Sequence, residues 1–281
     1  MLDIILDTLL DALKLLPFLF IAFLIIELIE HKLNTKNKKI LTKSKKYGVF
    51  LGSLLGVIPQ CGFSVMATNL YITRIITLGT LISVYLSTSD EMLPILISHN
   101  VELNVIIKIL LTKVLFAVIY GIILDFIISK IKKKEKENYH ICDEEHCHCE
   151  DGIIKSSLKH TVHITLFILI MTFIINIIFT YIGEDFLSKL FLKGTIFSPF
   201  ITSLIGLIPN CGASVILTEL YLNNAINLSS LISGLLTGSG TALIVLFKGN
   251  KSLKENFFII MLVYLLGAIS GIIIELIELI I

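Results

Sequence analysis

The sequence predicts an all-α polytopic membrane protein made of two inverted-topology repeats, each with about three transmembrane helices and one re-entrant broken-helix hairpin. Three observations lead to this prediction: long apolar stretches, an internal repeat, and lysines gathered in two short regions. Charged residues make up only 16% of the 281 residues, whereas about 25% is usual in soluble domains. The composition therefore favours a membrane protein over a soluble one.

The length of the apolar segments is clearest in Thr161–Ile182 and Phe257–Ile274. Each has the roughly 18 to 20 residues that an α-helix needs to cross a bilayer. A buried helix of a soluble protein would carry a polar stripe at helical period, and these segments have almost none. They are therefore predicted to span the membrane.

A gap-free internal repeat relates residues 51–71 to residues 201–221, 150 positions further along. The two segments read LGSLLGVIPQCGFSVMATNLY and ITSLIGLIPNCGASVILTELY, and 12 of their 21 positions are identical. Shared membrane composition could align leucines and isoleucines, but it would not place proline, cysteine, glycine and serine in register. The repeat therefore predicts two copies of one structural unit.

The lysines concentrate in His31–Lys46 and Lys130–His160, with seven in each. Such clusters beside membrane spans mark cytoplasmic loops by the positive-inside rule, and binding to nucleic acid is the weaker interpretation. If both loops lie inside, the first half crosses the membrane three times, and this odd number inverts the second half. We therefore expect a first repeat at residues 1–130, a cytoplasmic loop at 131–158 and an inverted second repeat at 159–281.

The crossings of the first half are expected at Leu13–Glu30, Ile75–Ser98 and Leu103–Ser129, with a re-entrant hairpin at Tyr47–Ile72. In the second half the loop around Gly249–Glu255 then lies inside with three lysines, whereas the matching loop of the first half has none and lies outside. The alternative, in which each hairpin is two full passes, has the same parity but needs cramped helices of about 12 to 15 residues.

Each hairpin tip combines a proline without an N–H donor and a glycine with low helical propensity, so the helix is expected to break there. The residues that break the two helices are Pro59, Gly62, Pro209 and Gly212. A break at membrane depth leaves carbonyl groups at one half-helix end and N–H groups at the next, where ions can bind. The amides of Gln60 and Asn210 favour such a site over a pair of packing kinks, because an unpartnered amide in hydrocarbon is costly.

A polar run follows each hairpin, Ser87–Glu91 in the first half and Thr237–Thr241 in the second. Both runs interrupt apolar segments, and an acidic pair inside a span indicates function. Asp90 is the preferred carrier of that function, because it is the repeat mate of Gly240 within the second polar run.

Other charged residues in the spans are assigned by position. Glu219 adds one acid from the second half, although both Glu91 and Glu219 could instead lie near an interface with their carboxylates in the headgroup region. Lys108 and Lys113 are interpreted as extending their ammonium groups to the interface in the same way.

Cys61 and Cys211 lie at the two predicted helix breaks, where a two-fold relation could bring their thiols together. The alternative is that they are small buried hydrophobes. A thiolate pair would suit Cu(I), Zn²⁺ or a trivalent metalloid, whereas the nearby carboxylates and hydroxyls would suit Mn²⁺ or another hard ion. The odd count of five cysteines argues against a disulfide framework.

The central loop is rich in soft metal ligands. Its candidate ligands are His140, Cys142, His146, Cys147, His148 and Cys149. This cluster is expected to contact metal as a sensing or loading segment, although it lacks the regular C-x₂-C pair of a structural zinc site. The alternative is a flexible solvated linker.

The paired GxIP[QN]CGxS motifs, the STSDE run and the Cys/His/acid-rich loop resemble the ten-transmembrane heavy-metal exporter family, whose members are labelled arsenic-efflux-like permeases or manganese transporters. The resemblance covers nearly the whole chain. It implies a substrate region formed by Pro59, Gln60, Cys61, Gly62, Ser64, Ser87, Thr88, Ser89, Asp90, Glu91, Pro209, Asn210, Cys211, Gly212 and Ser214. Independently of this resemblance, the sequence pattern adds Glu219 and Ser239 as candidate substrate-binding residues.

We therefore expect a secondary transporter that exports a divalent metal or metalloid ion and partners only with the bilayer and its small substrate, not with nucleic acid. The sequence has no phosphate-binding loop, so a proton or sodium gradient is expected to drive transport, with Asp90 or Glu91 as the proton carrier and no bound cofactor. An associated ATPase subunit is an alternative energy source. Two other functions compete: an anion transporter that uses half-helix N-termini, and an intramembrane enzyme with an acid pair or a cysteine nucleophile.

Overall fold

The computed structural model describes residues 16–17, 19–21, 23–24, 38–58, 61–89, 92–131, 154, 157–158, 161–167, 169–170, 173–174 and 197–280. Every regular element within these ranges is a helix. Ten helices have defined bounds: α1 Lys38–Gly56, α2 Cys61–Ile72, α3 Leu78–Ser87, α4 Met92–Ser98, α5 Leu103–Ile131, α6 Ser198–Gly206, α7 Gly212–Leu222, α8 Leu228–Thr237, α9 Ala242–Gly249 and α10 Leu253–Ile280. The predicted all-α class is confirmed.

The helix order of the first half returns in the second at the offset of the sequence repeat. Helices α3 and α8 begin at residues 78 and 228, and α5 and α10 begin at residues 103 and 253. The turns that precede α3 and α8 also match, since Arg74 and Asn224 both adopt left-handed backbone, with φ of 59° and 55°. The same local sequence signals therefore produce the same succession of helices twice.

Three stretches of the described chain are long and apolar enough to cross a membrane: Leu103–Lys130, Leu228–Gly249 and Leu253–Ile280. The outer faces of α5 and α10 are exposed and apolar, as at Leu111 and Phe257, which are 64% and 63% exposed. Such faces are costly in water but suit contact with lipid. The chain is thus a multi-pass membrane protein.

Helices α3 and α8 form the centre of the bundle, and residues 79–87 and 229–237 are all buried. Helix α3 packs against α1 and α5, and α8 packs against α6 and α10. Contacts between the halves are reciprocal: α2 packs against α9, α4 packs against α7, and α3 meets α8. Each contact from the first half to the second thus has a matching contact in the other direction, as in an isologous interface.

Helix α3 begins where its first N–H groups find oxygen acceptors. The Thr77 hydroxyl accepts a hydrogen bond from Thr80 N at 3.1 Å, which caps the helix. Asp125 on α5 accepts hydrogen bonds from Thr77 Oγ1 at 2.7 Å and from Gly79 N at 2.9 Å. A carboxylate at a helix N-terminus also complements the helix dipole, so Asp125 fixes α3 against α5.

Small residues bring the central helices into close contact. Ser203 Oγ and Ser233 Oγ lie 2.6 Å apart, and Thr237 Oγ1 donates to Ser203 O at 2.8 Å. A Cβ added to Gly206 would lie 2.1 Å from Gly234 O, a backbone atom of α8. Small residues and hydroxyl bonds of this kind hold helices together where no hydrophobic effect acts between them.

We expect Gly206→Ala to lower the thermal unfolding midpoint by about 2–10 °C, because overpacking of a tight contact costs about 1–3 kcal/mol. Gly212→Ala is the control, since a Cβ there would have its nearest neighbour at 3.7 Å. Far-UV circular dichroism of the purified protein measures both midpoints. An unchanged midpoint for Gly206→Ala would show that α6 and α8 can separate without cost.

Two predicted segments differ from the structure. The lysine-rich stretch His31–Lys46 was expected as a loop, but α1 begins at Lys38 and continues through its second part. The span predicted at Ile75–Ser98 consists of two helices, α3 and α4, separated by residues 88–91. Serine and threonine hydroxyls compete for backbone groups and end α3 at this point, so the polar run breaks the span.

Candidate functional site

The two breaks of the first half lie side by side in the structure. Helix α1 ends at Gly56 and α3 ends at Ser87, and the Ser89 hydroxyl donates to Val57 O at 2.6 Å. A Cβ on Gly56 would lie 2.0 Å from Ser87 Oγ, so only glycine permits this approach. The hairpin motif and the polar run, predicted separately, therefore form one region.

The polar residues of the first break are buried and bonded to the backbone. Ser87, Thr88 and Ser89 are at most 2% exposed. Thr88 Oγ1 donates to Val84 O at 2.7 Å, and Ser87 Oγ donates to Ser83 O at 2.8 Å. Val84 O also accepts the backbone N–H of Thr88 at 3.0 Å, so these hydroxyls satisfy their own donor groups by sharing carbonyls of the last turn of α3.

Lys113 on α5 reaches this break, which the sequence interpretation missed. Its side chain is 0% exposed and its ammonium donates to Thr88 O. The prediction that Lys113 extends to the interface is therefore wrong. Burying a charged ammonium is costly unless it is paired, so such residues in spans usually serve function. An isolated lysine within an apolar span was the available sequence signal.

The ammonium of Lys113 occupies an electrostatically favourable place. The carbonyl end of a helix carries partial negative charge, and in broken membrane helices such ends coordinate cations. Lys113 thus acts as a cation tethered to α5 at the end of α3. Its repeat mate on α10 is Val263, which is also 0% exposed, so the second half has no equivalent charge.

The second break differs from the first in its hydrogen bonding. Ser239 and Thr241 are 0% and 3% exposed, and within the described part of the chain neither hydroxyl has a hydrogen-bond partner. Between them Gly240 adopts left-handed backbone with φ of 57°, a conformation that glycine takes without strain.

At the second hairpin tip, the predicted site residues form a tight turn. Asn210 Oδ1 accepts a hydrogen bond from Gly212 N at 3.0 Å, and Ser214 Oγ donates to Cys211 O at 2.7 Å. Pro209 lies in the turn between α6 and α7. Cys211 is half-buried and packs against the core.

The first tip is described in part. Gly62 and Ser64 are buried in α2, and the carbonyl of Ser64 accepts a hydrogen bond from Thr68 Oγ1 at 2.7 Å. Thr68 Oγ1 also lies 2.6 Å from the hydroxyl of Tyr85, which links α2 to α3. Outside the described residues lie Pro59, Gln60, the side chain of Cys61, Asp90 and Glu91.

Glu219 lies apart from the breaks, in an exposed pair with His99. The distance from His99 Nε2 to Glu219 Oε1 is 3.2 Å, and the two side chains are 50% and 41% exposed. Because His99 follows α4 and Glu219 belongs to α7, the contact joins the two halves.

No group of three or more His, Cys, Asp or Glu side chains that could hold a metal lies within the described ranges. The candidate ligands of the central loop lie outside these ranges: His140, Cys142, His146, Cys147, His148 and Cys149. Metal binding by this loop stays a prediction.

Comparison with known families identifies the transporter class. The model of the ArsP_2 family, described as "Putative, 10TM heavy-metal exporter", matches residues 1–152 and, in a second match, residues 92–248. The chain belongs to the ArsP_2 family. Neither the curated proteins nor the solved structures include a significant match.

Membership of the ArsP_2 family accounts for the main features of the chain. The family's description is that of a membrane transporter rather than an enzyme. The ten bounded helices, five in each half, are arranged with their breaks packed against the bundle centre, as expected where irregular backbone must be shielded from lipid.

Proposed function

We propose that this ArsP_2 chain is a secondary transporter that exports a divalent metal or metalloid ion. Transport proceeds by alternating access at a midplane site between the two inverted repeats. The observation that carries the proposal is the reciprocal packing of two repeats that each contain broken helices. Two similar halves meeting around broken helices are typical of secondary transporters.

The helix lengths favour re-entrant elements. Helix α2 has 12 residues and α3 has 10, so they measure about 18 Å and 15 Å against about 30 Å of hydrocarbon. Each is therefore long enough to cover only about half the bilayer, which supports a position of the ends of α1 and α3 near the midplane. The long helices α5 and α10 cross completely and hold these half-helices in position.

The distribution of charge supports inversion of the second repeat. Lys248, Lys251 and Lys254 flank the start of α10, whereas the matching segment before α5 has no lysine or arginine. By the positive-inside rule the start of α10 lies in the cytoplasm and the start of α5 outside. The same rule places the loop at residues 131–158 in the cytoplasm of a cell-membrane protein, where its Cys/His cluster would load or sense the metal.

The test is the metal content of a metal-sensitive bacterial host that expresses the protein. Mass spectrometry of Mn, Zn, Cu, Co and As compares wild type with Asp90→Asn and with Cys61→Ser/Cys211→Ser. We expect wild type to lower one element and Asp90→Asn to abolish this effect, because a carboxylate serves as ligand or proton carrier at the break.

The double variant Cys61→Ser/Cys211→Ser then shows which type of protein ligand binds the transported ion. Retained export would indicate a hard cation bound by oxygen ligands, and lost export would indicate a soft metal or metalloid bound by thiolates. If no element changes despite confirmed membrane expression, metal export is refuted for these elements.

A second candidate function, anion transport, is favoured by one observation. The buried ammonium of Lys113 could pair with an anion held between half-helix N-termini. In that case uptake or efflux of oxyanions would depend on Lys113, and the metal contents of the host would not change.

A further inference from the structure

We propose that the second repeat contains a binding site for a sodium ion where α8 ends, and that this ion drives transport. The inference deepens the proposed function, since it names the coupling ion and its position. It rests on three differences between the breaks of the two repeats, which concern a side chain, a charge and two hydroxyls.

The first difference is the space beside the end of the central helix. In the first repeat Thr88 fills this space and its hydroxyl donates to Val84 O at 2.7 Å. In the second repeat the mate of Thr88 is Gly238, which has no side chain.

Backbone oxygens surround the space beside Gly238. The three atoms nearest to the place of a Cβ are carbonyl oxygens: Gly234 O and Leu235 O at 3.6 Å, and Gly206 O at 4.0 Å. Two of them belong to the last turn of α8 and the third to the end of α6. They form a cradle of partial negative charge at the C-terminal ends of two helices.

The second difference is the neutralising charge. In the first repeat the ammonium of Lys113 donates to Thr88 O. In the second repeat Val263 stands at the equivalent position of α10 and supplies no charge. The carbonyl end of α8 thus lacks the tethered cation that the end of α3 has.

The third difference is the hydrogen bonding of the hydroxyl groups. Ser89 donates to Val57 O at 2.6 Å, whereas its mate Ser239 has no hydrogen-bond partner, nor does Thr241. Both are at least nine-tenths buried, and an unsatisfied buried hydroxyl costs about 1–3 kcal/mol. A single unsatisfied hydroxyl, as at Ser229, does not indicate a ligand, but Ser239 and Thr241 both lie within three residues of Gly238 and of the carbonyl oxygens beside it.

The kinds of oxygen atom at this site favour one class of ion. Carbonyl and hydroxyl oxygens are hard ligands, which suit hard cations. The cradle and the two hydroxyls carry no formal charge, so they compensate the dehydration of a monovalent ion better than that of a divalent one. Ends of broken helices coordinate Na⁺ in other transporters. A sodium ion in the second repeat would lie beside Gly238, where the first repeat has the side chain of Thr88, and would supply the positive charge that Lys113 supplies in the first repeat.

The experiment measures sodium binding directly, without the transported metal. The thermal midpoint of the purified full-length protein is recorded in increasing NaCl, with KCl and choline chloride at equal ionic strength as references. A ligand that binds only the folded state raises the midpoint with its concentration. We expect NaCl to raise the midpoint by several degrees more than either reference salt.

Three variants test whether the sodium-dependent rise of the thermal midpoint arises from binding at this site. Ser239→Ala removes one ligand and should raise the half-maximal NaCl concentration about tenfold. Ser229→Ala is the matched control, because Ser229 is also a buried serine without a hydrogen-bond partner but lies at the opposite end of α8. Gly238→Ala fits at ordinary contact distances, so it should abolish the sodium shift and leave the midpoint in choline chloride unchanged.

Equal shifts in NaCl and KCl, or an undiminished sodium shift in Ser239→Ala, would overturn the proposal. The result is separate from the test of metal export. Export without a sodium-specific shift would refute the sodium site alone, and a sodium-specific shift without export of any element would refute the metal substrate alone.

Discussion

We expect Lys113→Met to lower transport by at least about tenfold and Lys108→Met, on the same helix, to leave it close to wild type. Lys113 is fully buried and its ammonium donates to Thr88 O, whereas Lys108 is exposed. Without the ammonium, the negative end of α3 loses its cation. A hydrogen bond of a charged group contributes about 1.5–3 kcal/mol, so export should fall by at least about tenfold.

Lys113→Gln separates the contribution to folding from the contribution to transport. Glutamine keeps an N–H donor for Thr88 O but removes the charge. We expect Lys113→Gln to recover most of the thermal stability that Lys113→Met loses and to remain inactive. The measurements are host metal content and the thermal midpoint. Wild-type export by Lys113→Met would contradict a functional role for the buried charge.

Breaking the pair of Arg74 and Glu255 is expected to have the second largest effect. Arg74 Nη1 and Nη2 donate to Glu255 Oε1 and Oε2 at 2.6 Å and 2.9 Å, and Tyr71 OH donates to the same carboxylate. The guanidinium also lies 5.2 Å from the centre of the Tyr71 ring. The cluster joins the turn after α2 to the first turn of α10, and thus one half to the other.

A contact between the halves stabilises only those conformations in which the halves are close. The two side chains are 48% and 25% exposed, so the pair is screened and we expect a contribution of about 1 kcal/mol. Loss of this contribution shifts a two-state equilibrium about fivefold. Arg74→Gln and Glu255→Gln should therefore each change the export rate by about fivefold, and the double variant should change it no further.

The exchange variant Arg74→Glu/Glu255→Arg should restore part of the lost rate, because it re-forms the pair with the charges reversed. His99→Ala is the comparison, since it removes the contact between the halves that involves Glu219. Initial export rates measure all variants. If the effects of Arg74→Gln and Glu255→Gln simply add in the double variant, the two residues do not act through each other.

The helical fold and the places where helices break were predictable from the sequence because their causes are local. Apolar length decides which segments suit lipid, and proline, glycine and hydroxyl residues end helices wherever they occur. The breaks after Gly56 and Gly206 lie at the predicted proline and glycine tips, whereas residues 75–98 were predicted as one span that the hydroxyl residues after Ser87 in fact divide. The exact repeat of helix starts at residues 78 and 228 follows in the same way from similar sequence.

The hydrogen bonds and charges at the helix breaks and between the halves depend on residues that are distant in sequence. Lys113 lies 25 positions from Thr88, and Arg74 lies 181 positions from Glu255. The sequence analysis assigned the ammonium of Lys113 to the lipid headgroup region. The packing of α5 against α3 places the Lys113 side chain in the interior of the bundle.

The sequence by itself thus determined the class of protein, the repeat and the positions of the breaks, through composition and short-range backbone preferences. Only the tertiary structure decided that Thr88 and Ser89 find partners whereas Ser239 and Thr241 do not. The physical reason is that hydrogen bonding and desolvation of a buried polar group depend on which groups surround it. Two polar runs at matching positions of the repeat, Ser87–Glu91 and Thr237–Thr241, therefore became chemically different sites.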